Sequence, residues 1–345
     1  MAYQAAVVGG SGYAGAELLR VLAGHPEIDV THVTADSNAG IAVGALYPSL
    51  GAAYGHLAYE RFTPGALDGL DVAFCALPHG ESQREIPQLL HRVGHIVDLG
   101  ADFRLPALDY ATWYGSDHEA PAALDQFAYG LPELFRADLA THAHVAAPGC
   151  YPTTAALALA PLLAHGLIET TGIVVDAMSG LSGRGRGLSA PSLYSEANET
   201  VTAYGLLDHR HTGEIEHALG CVAGGDVQAL FTPHLVPMTR GILATCHARP
   251  TTDGLDTARL LDLYREHYEG EHFVRVLDEP PTTKATTGSN ACHVTVRYDP
   301  RTSSILALGA LDNLVKGAAG QAVQALNRVL DLPEPTGLTN LGIVP

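Results

Sequence analysis

The 345-residue sequence has few cysteines and no pair of them at a spacing typical of metal or disulfide sites. The five are Cys75, Cys150, Cys221, Cys246 and Cys292. They are odd in number, lie far apart and form no C-x-x-C pair, so neither a disulfide framework nor a zinc site is expected. All except Cys150 lie in apolar or strand-like stretches, and we expect those four to lie in the core.

Long apolar runs are also missing, and no stretch approaches the roughly 20 residues that cross a bilayer. The first residues, Met1-Ala2-Tyr3-Gln4, lack the basic region of a secretory signal. We therefore expect a cytoplasmic protein. Its 345 residues are too many for one ordinary core and enough for two domains.

Cations are scarce, since 19 Lys and Arg stand against 37 Asp and Glu, for a net charge of −18. This balance argues against nucleic acid or an anionic membrane as a partner, because phosphate backbones need a basic face. An anionic small molecule must be captured by a few local arginines. The 18 histidines are scattered, with no H-E-x-x-H spacing, so no metal is expected.

The N-terminal segment combines a short apolar strand, Ala5 to Val8, with a glycine-rich turn and a helical pattern. Two overlapping spacings fit, G-x-G-x-x-G and G-x-x-G-x-x-G, and both let backbone amides approach a diphosphate at a helix N-terminus. The expected cofactor-binding residues of this turn are Gly9, Gly10, Ser11, Gly12, Tyr13 and Gly15.

The end of the second predicted strand, Asp29 to Thr34, leaves the choice of nicotinamide cofactor open. Asp36 stands where an acidic side chain binds a ribose 2′-hydroxyl, which favours NAD. Ser37 and Asn38 follow it and are equally suited to a 2′-phosphate, which favours NADP.

Strands alternate with helices up to about residue 147, which predicts a doubly wound parallel sheet. We expect strands at Asp71 to Leu77 and at His95 to Gly100, joined by a helix from Glu81 to Arg92. We expect a loop from Tyr110 to Pro132. Arg104 follows a strand end and is placed either to bind a ligand anion or to pair with a neighbouring aspartate.

The strongest candidate for chemistry is Cys150, which stands between Pro148-Gly149 and Pro152, ahead of an apolar run. We expect a helix from about Thr154 to His165, so the sulfur would lie near a helix N-terminus. There the dipole and free amides favour the thiolate, which is the nucleophile. The alternative is a small buried apolar side chain.

Beyond Cys150 strands outnumber helices, which predicts an α+β domain with a mixed, largely antiparallel sheet. The glycine-rich loop from Ser179 to Gly187 carries two arginines and is suited to a phosphate or carboxylate. His209 and His211 offer a general acid or base near neutral pH, or they begin a surface helix. A long helix from Ala318 to Leu330 follows.

Several motifs, in order along nearly the whole chain, resemble the N-acetyl-gamma-glutamyl-phosphate reductase family, relatives of aspartate-semialdehyde dehydrogenase. The motifs that carry the resemblance are Gly9–Gly15, Ala76–Gly80, Gly100–Arg104, Tyr129–Glu133, Pro148–Thr153, His209–His211, Phe231–Ile242, Gly288–Asn290 and Asp312–Gly320. The Pro-Gly-Cys-Tyr-Pro-Thr and Asp-Asn-Leu-Val-Lys-Gly runs are the most specific.

The resemblance implies an α/β Rossmann domain for NADP, formed by residues 1–149 with a returning C-terminal helix in 313–345. It implies an α+β catalytic and dimerisation domain at 150–312, and a homodimer or homotetramer. The implied reaction is the NADPH-dependent reduction of N-acetyl-L-glutamyl 5-phosphate to the 5-semialdehyde in arginine biosynthesis, with release of phosphate and through a cysteine thioester.

The resemblance also implies roles for individual residues. Cys150 would be the nucleophile, and His209 or His211 the acid or base. The residues expected to hold substrate or phosphate are Arg104, Arg240 and Arg186, and those expected at the cofactor are Ser37, Pro78, Ser182, Gly183 and Asn313. Two residues depart from the family pattern: Arg184 replaces an alanine, and Asp36 stands beside the site for the 2′-phosphate.

Three other functional hypotheses are consistent with some of the same residues. The same chemistry could act on an aminoadipyl phosphate held by an acidic carrier protein, which a chain of charge −18 would repel. Aspartyl phosphate is another substrate, although its reductases have different cysteine and histidine contexts. An NADP-sensing protein without catalysis is the non-enzymatic alternative, and Cys150 with the two histidines argues against it.

Overall fold

A computed structural model describes residues 2–343 of the chain. Contacts divide these residues into two compact units. The first takes the chain up to Pro148 together with Ala318–Thr339, and the second takes Gly149–Gly317 and the chain from Asn340. Residues 1, 344 and 345, which belong to the first domain expected from the sequence, lie outside the described residues.

Strands and helices alternate along the first half and then give way to a strand-rich second half. The strands are β1 Tyr3–Val8, β2 Ile28–Val33, β3 Val72–Cys75, β4 His95–Asp98, β5 Phe127–Tyr129, β6 His144–Ala146, β7 Ile173–Ser179, β8 Thr202–Ala203, β9 Ala229–Leu235, β10 Ile242–Ala248, β11 Val274–Val276, β12 Cys292–Asp299 and β13 Ser304–Leu311. The α-helices are α1 Tyr13–Leu22, α2 Val43–Leu46, α3 Gly51–Tyr54, α4 Ser82–Glu85, α5 Ala107–Tyr114, α6 Pro132–Leu139, α7 Cys150–Ala164, α8 Tyr194–Ala197, α9 His211–Ala223, α10 Thr257–His267, α11 Thr283–Thr286 and α12 Gly320–Val329.

The first unit is built on a six-stranded parallel sheet with the order β2-β1-β3-β4-β6-β5. From β1 the chain adds β2 on one side of the sheet and β3 on the other, so the strand order reverses between β1 and β3. An open α/β sheet binds its ligand at such a point. Helix α12 returns to this sheet. Gln321 Nε2 on α12 donates to Gly130 O at 2.6 Å, and Asn327 Oδ1 lies 3.0 Å from His25 Nε2.

Three structural expectations drawn from the sequence were wrong in detail. The helix expected from Glu81 to Arg92 is only α4 followed by a short 3-10 turn, Ile86–Gln88, because Pro87 lacks the N–H that an α-helix needs. The expected loop from Tyr110 to Pro132 contains part of α5 and the edge strand β5. Cys221 is exposed on α9, whereas Cys75, Cys246 and Cys292 are buried as expected.

The second unit is built on a seven-stranded mixed sheet with the order β11-β12-β13-β10-β7-β9-β8. The pairs β7–β9 and β11–β12 are parallel, and the others are antiparallel. Alternate residues of the central strands are buried against α7, where Gly309 of β13 approaches Thr154 closely. The opposite face carries Met178 and Leu230, which are 45% and 50% exposed.

Helix α7 is buried along almost its whole length, although Pro161 lies inside it. A proline leaves the carbonyl four residues earlier without its helical donor. That carbonyl is Leu157 O, and it accepts a hydrogen bond of 2.5 Å from the Tyr268 hydroxyl. The next carbonyl, Ala158 O, accepts one of 2.5 Å from Tyr264. Tyr264 in α10 and Tyr268 at its C-cap therefore supply donors for two backbone carbonyls of this core helix.

No helix among residues 2–343 is both long enough and apolar enough to cross a membrane.

Replacing Tyr268 by Phe tests how the interruption of α7 is accommodated. We expect Tyr268→Phe to lower the free energy of unfolding by about 1–3 kcal/mol, because a buried carbonyl loses its donor. Adding Pro161→Ala should recover part of that loss, since the new N–H can donate to Leu157 O. Urea unfolding measures both, and Tyr194→Phe, 80% exposed, is the control. Strictly additive effects of the two changes would contradict this account.

Candidate active site

Cys150 is the first residue of α7, so the helix begins four residues earlier than the sequence indicates. Gly149 is the N-cap, with extended backbone angles (φ −70°, ψ 155°), and Thr153 donates through both its N–H and its hydroxyl to Gly149 O. The Cys150 side chain is half-buried. It lies where the dipole of a 15-residue helix favours a thiolate.

Two residues that sequence reasoning missed define the surroundings of Cys150. Glu214 is fully buried, and its Oε1 accepts the Gly149 N–H at 2.7 Å, which fixes the residue before the candidate nucleophile. Gly317 passes so close that a Cβ there would lie 2.6 Å from Cys150 Cβ. Glu214 stands three residues after His211 on α9. That spacing was its only sequence signal, since residues three apart share a helix face.

The two candidate histidines lie together beside Cys150's neighbour Tyr151. The ring centroids of His209 and His211 are 5.0 Å apart, and both rings meet Tyr151 edge-on at 5.8 and 5.9 Å. His209 Nδ1 accepts the His211 N–H at 3.2 Å. Burial, helped by the neighbouring Arg210, lowers the pKa of His209 to about 4. His209 is therefore neutral near pH 7, and one of its nitrogens is engaged at the start of α9.

A pair of tyrosines completes this cluster. The hydroxyls of Tyr151 and Tyr204 lie 3.1 Å apart, and Tyr204 packs against His209 with ring centroids 5.3 Å apart. The pKa of Tyr204 is raised to about 12, chiefly by burial and also by the charge of Cys150 nearby. Burial raises the pKa of Tyr151 as well, so both phenols stay protonated at neutral pH.

Asn313 is buried and joins two loops of the second unit. Its Oδ1 accepts the Gly241 N–H at 2.7 Å, and its Nδ2 donates to Ser182 Oγ at 2.9 Å. Ser182 is buried, while Gly183 beside it is exposed. Asn313 thus holds the Ser182 loop, and Gly183 leaves the backbone of that loop open to a ligand.

The arginines of the second unit differ in their surroundings. Arg240 is partly buried, and its Nη1 lies 3.4 Å from a carboxylate oxygen of the buried Asp312. Arg186 is exposed on the Ser182 loop. Arg184, the residue that departs from the family pattern, borders a cavity of about 490 Å³ that Tyr204 also lines. Two of these arginines are therefore accessible, and Arg240 is held in place.

In the first unit, the glycines of the first turn have different reasons to lack a side chain. A Cβ on Gly9 (φ +81°) would lie 2.4 Å from Ala76 O, and one on Gly15 would lie 2.6 Å from Gly10 Cα. A Cβ on Gly12 would meet nothing closer than Gly9 O at 3.9 Å. The first two positions are closed by the protein itself, whereas the space at Gly12 is left for a ligand.

The turn after β2 approaches this glycine turn. Asn38 Nδ2 donates to Ser11 Oγ at 3.1 Å, and the Tyr47 hydroxyl donates to Ser11 O at 2.9 Å. Asp36 and Ser37 are both exposed. The residues suited to NAD and to NADP therefore stand side by side. Tyr13 is exposed as well, and Tyr47 has no signal in the sequence that would mark it as a neighbour of the turn.

Arg104 lies past the end of β4 and is 9% exposed. Its Nη2 donates to Leu99 O at 3.0 Å. Nearby Asp98 is fully buried, and burial raises its pKa to about 7, although hydrogen bonds from Ser82 and Gly100 and the charge of Arg104 oppose the rise. Pro78, past the end of β3, is exposed. Among residues 2–343 no group of three His, Cys, Asp or Glu side chains is arranged to hold a metal ion.

The predicted residues fall into two groups. In the second unit, the rings of His209 and His211 pack together against Tyr151, the residue after Cys150, and Ser182 is linked to Asn313. The first unit holds Gly9, Gly10, Ser11, Gly12, Tyr13, Gly15, Ser37, Pro78 and Arg104. The glycine turn, with open space at Gly12, fits a dinucleotide diphosphate.

Comparisons with known proteins agree with both units. Residues 4–142 match the family model "Semialdehyde dehydrogenase, NAD binding domain", and residues 150–313 match "Semialdehyde dehydrogenase, dimerisation domain". Solved structures of similar fold include aspartate semialdehyde dehydrogenase II from Vibrio cholerae, with a TM-score of 0.73 at 16% identity, covering 96% of this chain and 99% of that one. The enzyme from Candida albicans, solved with NADP, has a TM-score of 0.70 at 14% identity, with the same coverage.

Curated relatives are much more similar in sequence. N-acetyl-gamma-glutamyl-phosphate reductase from Symbiobacterium thermophilum is 47% identical, covering 100% of this chain and 99% of that protein. The one from Desulforudis audaxviator is 48% identical, covering 98% and 99%. The one from Desulforamulus reducens is 45% identical, with the same coverage.

The two units therefore define an NAD(P)-dependent oxidoreductase of the semialdehyde dehydrogenase class, with a Rossmann-type domain and a dimerisation domain. The predicted fold class is confirmed. Within that class, the chain belongs to the N-acetyl-gamma-glutamyl-phosphate reductase family.

Substituting two glycines of the first turn separates packing from ligand binding. Gly12→Ala should leave the melting temperature nearly unchanged and weaken NADPH binding at least tenfold, because its methyl group occupies ligand space at an allowed backbone conformation (φ −77°). Gly15→Ala should destabilise the protein by about 1–3 kcal/mol through overpacking. Thermal unfolding and fluorescence titration with NADPH measure the two effects. Equal effects of both substitutions on stability would refute the distinction.

Proposed function

We propose that this protein reduces N-acetyl-L-glutamyl 5-phosphate to N-acetyl-L-glutamate 5-semialdehyde and releases phosphate, with NADPH as reductant, in arginine biosynthesis. The observation that carries the proposal is Cys150 at the N-terminus of α7, next to Tyr151, whose ring packs against those of His209 and His211. Full-length relatives at 43–48% identity bear the name of this reductase, which supports the substrate.

The bonds that change in the first half of the proposed reaction are those to the sulfur of Cys150, in the second unit. The Cys150 thiolate attacks the acyl carbon, the bond from that carbon to the phosphate oxygen breaks, and inorganic phosphate leaves with the electron pair. A thioester with Cys150 remains. The helix N-terminus stabilises the thiolate before attack, and Glu214 holds the Gly149 backbone so that the sulfur keeps its position.

Reduction of the thioester is the chemistry that the nicotinamide supplies when it is bound. The residues proposed to hold the cofactor are Gly9, Gly10, Ser11, Gly12, Tyr13, Gly15, Ser37, Pro78, Ser182, Gly183 and Asn313. The hemithioacetal then collapses to the aldehyde, which returns the sulfur as a thiolate. The acid or base protonates and deprotonates the oxygen attached to the reacting carbon.

We assign the acid and base role to His211 and a positioning role to His209. A histidine with a pKa near 4 is almost wholly neutral at pH 7, and the Nδ1 of His209 is engaged by the His211 N–H. His209 packs between Tyr204, Tyr151 and Phe231, which fixes the start of α9. His211 then presents its imidazole from a fixed backbone.

The substrate carries negative charge at both ends, and we propose that arginines neutralise it. Arg104 is the candidate for the phosphate, and Arg240, held by Asp312, is the candidate for the carboxylate. Arg186 is accessible for either. A protein with a net charge of −18 needs such local cations to bind an anion.

We also propose that a second copy of the chain covers the open face of the seven-stranded sheet. Met178 and Leu230 are half-exposed there, and Leu243, Leu306 and Leu308 are partly exposed on the same face. The family model that matches this unit describes a dimerisation domain. The choice between dimer and tetramer and the cytoplasmic location stay predictions. The comparisons give no support to aminoadipyl phosphate, aspartyl phosphate or a non-catalytic sensor over the main proposal.

The proposal is tested by the reverse reaction of the purified protein. With N-acetylglutamate 5-semialdehyde we expect NADP⁺ reduction that depends strictly on phosphate, and much slower reduction with NAD⁺ or aspartate semialdehyde. Cys150→Ala should abolish turnover and leave NADP⁺ binding intact, whereas Cys221→Ala, at an exposed cysteine, should change neither. Substantial turnover by Cys150→Ala would rule out covalent catalysis.

The assignment of the histidines predicts unequal effects of matched substitutions. An asparagine can replace a histidine Nδ1 as an acceptor, so His209→Asn should keep the bond to the His211 N–H and cost less than tenfold in kcat. His211→Asn should lower kcat by about 10²–10⁴-fold, the range for a general acid or base. Steady-state kinetics from pH 6 to 9 compare them. The opposite order of effects would reverse the assignment.

A further inference from the structure

His79 and Asp102 form a histidine–carboxylate pair in the first unit. They lie in the loops that follow the neighbouring strands β3 and β4, and His79 Nδ1 is 2.9 Å from Asp102 Oδ1. The Asp102 side chain is fully buried, whereas that of His79 is 34% exposed. The pair therefore has a buried carboxylate end and an accessible imidazole end, at the edge of the sheet where ligands bind.

Asp102 is held as an ionised carboxylate. Its oxygens accept the N–H groups of Gly80 at 3.0 Å and Gln83 at 3.1 Å and the Tyr110 hydroxyl at 3.3 Å. Burial alone would raise the pKa of Asp102, but the bonds from His79, Gly80 and Gln83 outweigh it and lower the pKa. Because an ionised carboxylate can only accept, His79 Nδ1 carries the hydrogen of this bond.

The His79 ring is also packed. Its centroid lies 4.5 Å from that of Tyr114 and 6.1 Å from that of Tyr110, and the two tyrosines stack at 4.4 Å. A side chain held by one strong bond and two rings loses little entropy when it binds a ligand. In catalytic sites a carboxylate bonded to Nδ1 orients the imidazole in the same way, so that Nε2 faces the ligand.

The position of this pair points to phosphate. The exit of β3 lies against the glycine turn, since a Cβ on Gly9 would be 2.4 Å from Ala76 O, three residues before His79. Arginines of this unit that form ion pairs with carboxylates are Arg20, Arg84, Arg92, Arg136 and Arg328. Together with Arg104, which lies past the end of β4, His79 would give a phosphate at this edge a hydrogen-bonding partner that those paired arginines do not.

We propose that His79, held by Asp102, is a phosphate-binding residue that contacts either the phosphates of the dinucleotide or the inorganic phosphate released in the reaction. In the complex His79 carries a hydrogen on both ring nitrogens, so that Nε2 donates to a phosphate oxygen while Nδ1 keeps its bond to Asp102, which is a positioning residue. The inference rests on the proposed function only for the identity of these two phosphate compounds.

The test uses equilibrium binding, so that its outcome does not depend on turnover. His79→Asn keeps a donor near the position of Nδ1 for Asp102 and removes Nε2, while His79→Gln places an amide near the position of Nε2. His91→Ala, at an exposed histidine of the same unit, is the control. NADP⁺ binding is measured by isothermal titration calorimetry, and inorganic phosphate binding is measured in the same way on the protein saturated with NADP⁺. Melting temperatures report on folding.

We expect His79→Asn to weaken one of the two affinities about tenfold, and His79→Gln to recover part of it, with melting temperatures close to that of His91→Ala. A weaker NADP⁺ affinity would assign the contact to the cofactor, and a weaker phosphate affinity alone would assign it to the released phosphate. If both affinities of a folded His79→Asn stay within twofold of the control, the inference is wrong. A protein that binds as expected but lacks reductase activity would instead refute the proposed function.

Discussion

The position of Cys150 depends on how helix α7 is buried. The helix packs along the seven-stranded sheet with nearly every side chain enclosed, so its N-terminus cannot move without disturbing the core of the second unit. Pro161 would weaken such a helix, but the hydroxyls of Tyr264 and Tyr268 satisfy the carbonyls near it. A rigid helix then delivers a sulfur to a fixed place, with the dipole already oriented to favour the thiolate.

Buried polar groups around that sulfur act through the backbone as much as through side-chain chemistry. Glu214 holds the Gly149 amide, Asn313 holds Ser182 and Gly241, and His209 holds the His211 amide. Each would be costly if left without its partner, because buried polar groups need hydrogen bonds. Their satisfaction specifies one arrangement of the loops, which is the preorganisation that a covalent mechanism requires.

An acidic protein that acts on anions must concentrate its positive charge. Many arginines of the first unit are used in ion pairs with carboxylates on the same unit, such as Arg84 with Glu119 and Arg136 with Glu334. Arg104 and the pair of His79 with Asp102 lie instead at the ligand edge of the parallel sheet. Because negative charge is in excess over the protein as a whole, the binding of an anion depends on a few residues. Substitutions of those residues should have large effects.

Much of the fold and part of the site could be predicted from the sequence. The glycine turn between strand and helix, the turn before Cys150 and the alternation of later strands are local patterns, and local patterns are set by backbone sterics and periodicity. They predicted the parallel sheet and the mixed sheet, and they marked Cys150 as the candidate nucleophile. They failed where one residue interrupts a regular pattern, as Pro87 interrupts the expected helix. They also failed where a short strand such as β5 forms only by pairing with β6.

What the sequence determined by itself was therefore the class of each unit and the residue types able to do the chemistry. The tertiary structure decided which of them work together. Glu214 reaches Gly149 across 65 positions in the chain, and Asp102 reaches His79 across the space between two strands. Residue 317 must be a glycine because Cys150 packs against it and leaves no room for a side chain. Such pairings join distant segments, and a contact between distant segments leaves no periodic signal in either of them.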